Sequence, residues 1–271
     1  MPADRAPLDA DLLRRRVVDA PGPWTGLVLL PETTSTNADA ARLARDGAAA
    51  GTVVVAEHQT AGRGRLGRTF TTAPRTSVIV SVVLRPGPRV PVQAWTWLPL
   101  LSGLAVAATV RDAGLVPGVK WPNDVLVGDR KVCGILLERV ETPDGPAAVV
   151  GIGVNVVQDA DELPVPTATS FAVEGADVLD RGDVLVALLA HLGRLVDDWE
   201  AAAGDAAVGT PSLRERFRDA CSTLGREVRV ELPDGSVLVG TADDVDDQGR
   251  LVVDGRALSA GDVTHVRPVP A

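Results

Sequence analysis

The chain has 271 residues, 45% of them hydrophobic and 23% charged, and a formal net charge of −9. That balance is ordinary for a globular protein, one large domain or a large one plus a small one, and the acidity disfavours nonspecific binding to nucleic acid. No apolar run approaches the roughly 20 residues that span a bilayer, the start lacks a secretion signal's apolar core, and Cys133 and Cys221 form no Cys-x-x-Cys pair, which argues against a disulfide scaffold or zinc site and fits a reducing cytoplasm.

Leu8, Leu12, Leu13 and Val17 have helical spacing, ended by Pro21 and Pro23. Leu27–Leu30 reads as a strand, and Ser35 or Thr36 can N-cap a helix to about Arg45, with Gly47 beyond it. The β-branched runs Thr52–Glu57 and Ser77–Leu84 read as buried strands, and Pro91 to Gly114 holds a long helix. Val125–Val127 and Val132–Glu138 flank Gly128-Asp129 as a hairpin, and Ala147–Val154 is a further strand. Residues 157–180 are loop-like, Arg181–Ala203 is an amphipathic helix, and a shorter helix lies near Ser212–Thr223. From Gly225 on, turn signals at Pro233-Asp234-Gly235, Asp247-Gln248-Gly249 and Asp254-Gly255 predict a small β-barrel of about five strands. A domain boundary is expected near 223, dividing 1–223 from 224–271.

Charge is unevenly distributed. No acid lies between Glu57 and Asp112, a stretch that holds seven arginines and suggests a site for a small polyanion. The only lysines are Lys120 and Lys131, and the only asparagines are Asn37, Asn123 and Asn155. All five fall in short Gly-, Pro- or Ser/Thr-containing segments. Lysine is a compact point charge where arginine is a broad planar fork, so the two are not interchangeable at a small anion.

Gly62-Arg63-Gly64-Arg65-Leu66-Gly67-Arg68 matches G-x-G-x-x-G. A dinucleotide fold is disfavoured, because no helical period follows and no acid stands about 20 residues on. The segment reads instead as a mobile Gly-Arg loop whose guanidinium forks suit phosphate or carboxylate. Ser35-Thr36-Asn37 is explained by helix capping alone, but with Gln59 it could serve an uncharged polar head group. Lys120-Trp121-Pro122-Asn123-Asp124 ends a strand and turns, with Trp121 as a core residue on the plainest reading. Lys131 follows on the next strand, and Gly134 would let a ligand approach the backbone. Gly151 and Gly153 mark either a close approach or a β-bulge.

These segments, in this order, resemble the biotin–protein ligases, over about residues 30–156 and again in the small barrel. The resemblance implies an α/β (α+β) fold, with a class-II-synthetase-like mixed sheet flanked by helices and a small C-terminal SH3-like β-barrel. It implies that biotin reacts with ATP to give biotinyl-5′-AMP, and that the ε-amine of a carrier lysine then displaces AMP. By similarity, the catalytic residues are Arg65, Lys131, Lys120 and Asp124. Biotin would lie against Ser35, Thr36, Asn37, Gln59, Gly62, Arg63, Gly64, Trp121, Lys131, Gly134 and Gly153. ATP would lie against Arg63, Arg65, Arg68, Phe70, Asn123, Lys131 and Asn155. Mg²⁺ would be held largely through phosphates rather than by a protein cage. The family often has Trp where Phe70 stands, so weaker adenine stacking is expected. The stretch before Ser35 is short for the DNA-binding winged helix of some relatives, so no nucleic-acid partner is expected, and no membrane partner. The expected partner is a biotin carboxyl carrier domain of an acetyl-CoA/acyl-CoA or pyruvate carboxylase, and the expected state a monomer or weak homodimer. Rival readings are a lipoate or octanoate ligase or transferase, with an apolar tunnel, and a non-catalytic biotin sensor.

Overall fold

The β-branched runs become the strands of one mixed sheet. The computed structural model describes residues 5–232, 234–259 and 262–265. The strands are β1 (Gly26–Leu30), β2 (Thr52–Ala56), β3 (Ser77–Leu84), β4 (Pro117–Lys120), β5 (Asp124–Val127), β6 (Arg130–Val140) and β7 (Ala147–Asn155). They lie in the order β1-β2-β3-β7-β6-β5-β4. β1 and β2 are parallel, and the remaining pairs are antiparallel.

Side chains alternate across the sheet, so each face has its own cover. One face, with Val53, Val55, Val78, Val80, Val82 and Ile152, packs under α3 (Trp97–Asp112) and α4 (Arg181–Ala201). The other packs Val54, Val83, Val140 and Val149 under α2 (Thr36–Arg45), whose contact residues are Ala40, Ala41 and Ala44. These small side chains let α2 approach closely. The face beyond the start of α2 is lined instead by glycines and small polar residues, and the site forms there.

Two expectations hold and gain detail. The helix expected from Pro91 is a 3₁₀ turn (Val92–Thr96) followed by α3. Pro99 has no N–H and is tolerated only in a helix's first turn, which places the start at Trp97. The segment 157–180 is irregular but tied to β6: Lys131 N donates to Thr167 O (2.7 Å) and Thr169 N to Lys131 O (2.8 Å). At the N-terminus, Asp9 caps α1 (Ala10–Leu13), which continues as a π turn to Val18.

After α5 (Leu213–Ala220), capped by a Ser212/Glu215 capping box, the chain enters a second sheet. Its strands are β8 (Glu227–Glu231), β9 (Val237–Val245), β10 (Leu251–Val253), β11 (Arg256–Leu258) and β12 (Asp262–His265). All pairings are antiparallel, in the order β11-β10-β9-β8-β12. The turn signals at 234–235, 247–249 and 254–255 fall between these strands; Pro233 and residues 266–271 lie outside the described residues. No described helix is long and apolar enough to cross a membrane. The α/β expectation of a helix-flanked mixed sheet with a small C-terminal β unit holds.

Candidate active site

One row of residues crosses five strands: Ile79, Gly153, Gly134, Asp124 and Lys120 are successive register partners on β3, β7, β6, β5 and β4. The next row on the same face is Ser81, Gly151 and Leu136. β7 keeps an unbroken register with both neighbours, so its glycines mark no bulge. They are there for close approach. A Cβ on Gly153 would run into the Phe70 ring, and one on Gly151 into the Asn37 amide.

The bulge lies on β6. Val125 pairs with Cys133, but Leu126 pairs with Lys131, so Val132 is the extra residue. Strict alternation would put Lys131 and Gly134 on opposite faces, and one added residue turns Lys131 onto the site face. Its Nζ lies over Gly134 and 2.7 Å from Asp124 Oδ1.

A cavity of about 130 Å³ opens over the two rows. One end is neutral and polar, and Ser35, Thr36, Asn37 and Gln59 there are all buried. Gln59 Oε1 accepts from Thr36 N (2.7 Å) and Oγ1 (3.0 Å), while Ser81 Oγ lies 2.8 Å from Thr36 Oγ1 and 2.6 Å from Asn37 Oδ1. Asn37 Nδ2 donates to Glu138 Oε2 (2.7 Å). Ser35 caps α2 only at 3.4 Å. Ile79 and Leu136 supply apolar wall. Buried donors and acceptors held this way suit an uncharged polar ligand group.

The Gly-Arg segment arches over this cavity. Phe70 N donates to Gly62 O (2.9 Å) and Gly64 N to Arg68 O (2.6 Å), around a 3₁₀ turn at Arg65–Gly67. These bonds give the segment a defined turn. Arg65 Nη1 donates to Asn123 Oδ1 (3.2 Å), and Arg63 pairs with Glu138 (3.1 Å).

Beside it lies a larger cleft of about 840 Å³, with Arg68, Phe70, Lys120, Asn155 and Arg226 on its walls. Both spaces are bounded by Lys131, Asp124, Gly134 and Phe70, so they meet at the Lys131–Asp124 ion pair. Cys133 also borders the cleft, but burial pushes its thiol well above the ordinary value and the Lys131 ammonium offsets only part of this. A protonated thiol is no nucleophile.

Most residues expected at the site gather here, and two are placed differently. Trp121 borders neither space: it is 2% exposed, and its indole donates to Gly249 O in the second sheet (2.9 Å). Gly62 borders an outer groove under the arch. Asn155 is on the cleft wall as expected, with its amide turned inward, donating to Thr169 O (2.9 Å) and accepting from Gln158 Nε2 (3.1 Å). Ser81, Glu138 and the Pro164–Ala168 wall were missed. Ser81 sat inside a β-branched run with its period as the one signal, and the wall has no periodicity.

A neutral polar cavity opening on a cationic cleft suits a synthetase that holds two unlike reactants side by side. Residues 29–155 match the Biotin/lipoate A/B protein ligase family and residues 223–266 the Biotin protein ligase C terminal domain. The chain is 43% identical over 272 residues to the biotin–[acetyl-CoA-carboxylase] ligase of Mycobacterium tuberculosis, with 97% of each covered. It belongs to the biotin protein ligases of this family. Among solved structures, a biotin protein ligase from Aquifex aeolicus in complex with biotin and ATP is similar at TM-score 0.72 and 26% identity, covering 90% of this chain and 100% of that one. A biotin protein ligase from Leishmania major in complex with biotinyl-5-AMP is similar at TM-score 0.55 and 25% identity, covering 90% and 99%.

Proposed function

We propose that the chain joins biotin to ATP as biotinyl-5′-AMP and passes the biotinyl group to a lysine of a biotin carboxyl carrier domain, that of an acetyl-CoA/acyl-CoA or pyruvate carboxylase. Residues 1–223 form the catalytic unit in this reading and 224–271 the second unit. The observation that carries it is the meeting of the two spaces at Lys131 and Asp124. The ureido ring fits the Ser35, Thr36, Asn37 and Gln59 end, and the carboxylate points to Lys131 and Arg65. ATP occupies the cleft, its phosphates against Arg63, Arg65 and Arg68 and its base against Phe70.

A carboxylate oxygen then forms a bond to the α-phosphorus, and pyrophosphate leaves. The two reactants are anions, so fixed cations at their junction both hold them together and offset charge as it develops. In the second step the carrier amine bonds to the acyl carbon, AMP leaves with the bonding pair and the amine loses a proton. Lys120 and Asp124 flank this point. No three His, Cys, Asp or Glu gather among the described residues; magnesium, if used, would come on the nucleotide phosphates, the ordinary mode for that ion, and neutralise their charge.

The lipoate reading calls for an apolar tunnel, and the hydroxyl and amide groups at the closed end favour biotin instead. The test is isotope exchange between pyrophosphate and ATP, followed by mass spectrometry of a carrier domain. Biotin-dependent exchange and one added biotinyl group are expected; lipoate-dependent exchange, or tight biotin binding with no carrier product, would refute the reading.

A further inference from the structure

The β9–β10 turn belongs to the second sheet, yet its carbonyls face the start of α3 and the β4–β5 turn of the first unit. Three consecutive ones accept from three side chains of the first unit: Asp247 O from Trp97 Nε1 (2.7 Å), Gln248 O from Thr96 Oγ1 (2.8 Å) and Gly249 O from Trp121 Nε1 (2.9 Å). The turn is itself locked. Asp246 accepts from Gln248 N (3.0 Å), Arg250 N (2.9 Å) and Arg250 Nε (2.7 Å). Arg214 adds bonds to Val245 O and Asp247 Oδ1, both 2.8 Å. The carbonyls are therefore preorganised acceptors, and the Trp121 indole N–H, unlike those of buried Trp95 and Trp199, has such a partner.

Trp121 has site residues on both sides. Lys120 precedes it, and Asn123, bonded to Arg65, and Asp124, paired with Lys131, follow. Its backbone N donates to Thr223 Oγ1 (3.1 Å), and Ser222 N donates to Val119 O (2.9 Å). We infer that the Asp246–Arg250 turn is a positioning element for the Lys120–Asp124 segment, acting through the Trp121 indole. The turn, which borders neither space, then helps set the geometry of adenylate formation without touching a reactant. This rests on the reading that Lys120, Asn123 and Asp124 serve that reaction.

The experiment compares Trp121→Phe and Asp246→Ala with Asp234→Ala. Phe keeps the ring and loses the donor. Asp246→Ala unlocks the turn. Asp234 caps the β8–β9 turn of the same sheet, accepting from Ser236 N (2.9 Å) and Oγ (2.6 Å), and so controls for general loosening. The readouts are kcat and KM for biotin in pyrophosphate exchange, per site able to bind biotin. Both test variants are expected to lose about tenfold in kcat, within what small misplacements cost, with KM for biotin held within about twofold. Asp234→Ala should match wild type. Unchanged exchange in Trp121→Phe, or an equal loss in Asp234→Ala, overturns the inference. Should Trp121→Phe fail to melt cooperatively, Asp246→Ala against Asp234→Ala decides. A wild-type chain without biotin-dependent exchange would instead defeat the functional reading itself.

Discussion

Lys131 owes its place to one extra residue. The β6 bulge at Val132 turns it onto the face with Gly134 and Asp124, and no side-chain pattern announces a bulge whose residue is another buried valine. What the sequence did show was scarcity: a lysine retained where arginine is otherwise the rule. The geometry explains the choice. Nζ lies 3.0 Å from where a Gly134 Cβ would stand and 2.7 Å from Asp124, a position that suits a compact point charge. Lys131→Ala is expected to cost on the order of 3 kcal/mol of transition-state stabilisation, the scale of one preorganised donor. Lys131→Arg should restore only part of it, because the fork places its charge elsewhere. Single-turnover formation of biotinyl-5′-AMP measures both, and a wild-type rate in the Arg variant would refute the argument.

Among the elements, the Gly-Arg arch lies across the mouth of the cavity. Its ties include a few backbone bonds, the Arg65–Asn123 hydrogen bond and an Arg63–Glu138 pair with both side chains partly in water, and such exposed pairs contribute little. The amides of residues 62–71 should therefore exchange hydrogen readily in the free protein. They should slow markedly when biotin and a non-hydrolysable ATP analogue supply anions to Arg63, Arg65 and Arg68. Protection in the arch unmoved by both ligands would count against its role as a clamp. The motif was legible because glycine and arginine interleave. Its path over Gly153 was not, since that depends on Phe70 filling the space a missing Cβ leaves.

At the scale of the molecule, a buried ion pair ties three distant segments. Arg181 at the start of α4 pairs with Glu57 beyond β2 (2.6 Å), and both are nearly inaccessible. Arg181 also donates to Ala6 O (2.8 Å), and Glu57 accepts from Leu8 N. Glu57 read as a strand end and Arg181 as a helix start, and only their meeting gives either a purpose. Arg181→Ala strands a buried carboxylate and should destabilise the fold by about 3–5 kcal/mol. A shifted urea midpoint with an unchanged m-value would show it; a shift below about 1 kcal/mol would mean that water reaches Glu57.

Strand and helix identities, the caps and turns, the arginine-rich anion segment and the list of scarce polar residues could all be read along the chain, because each depends on period, propensity or side-chain chemistry within a few residues. Which of those residues share a cavity could not. The face of Lys131 depends on a bulge, the burial of Trp121 on a carbonyl 128 residues away, and the inward turn of Asn155 on Gln158 and Thr169. Register and long-range hydrogen bonds belong to pairs of segments, and a one-residue slip in either partner reassigns every side chain that follows.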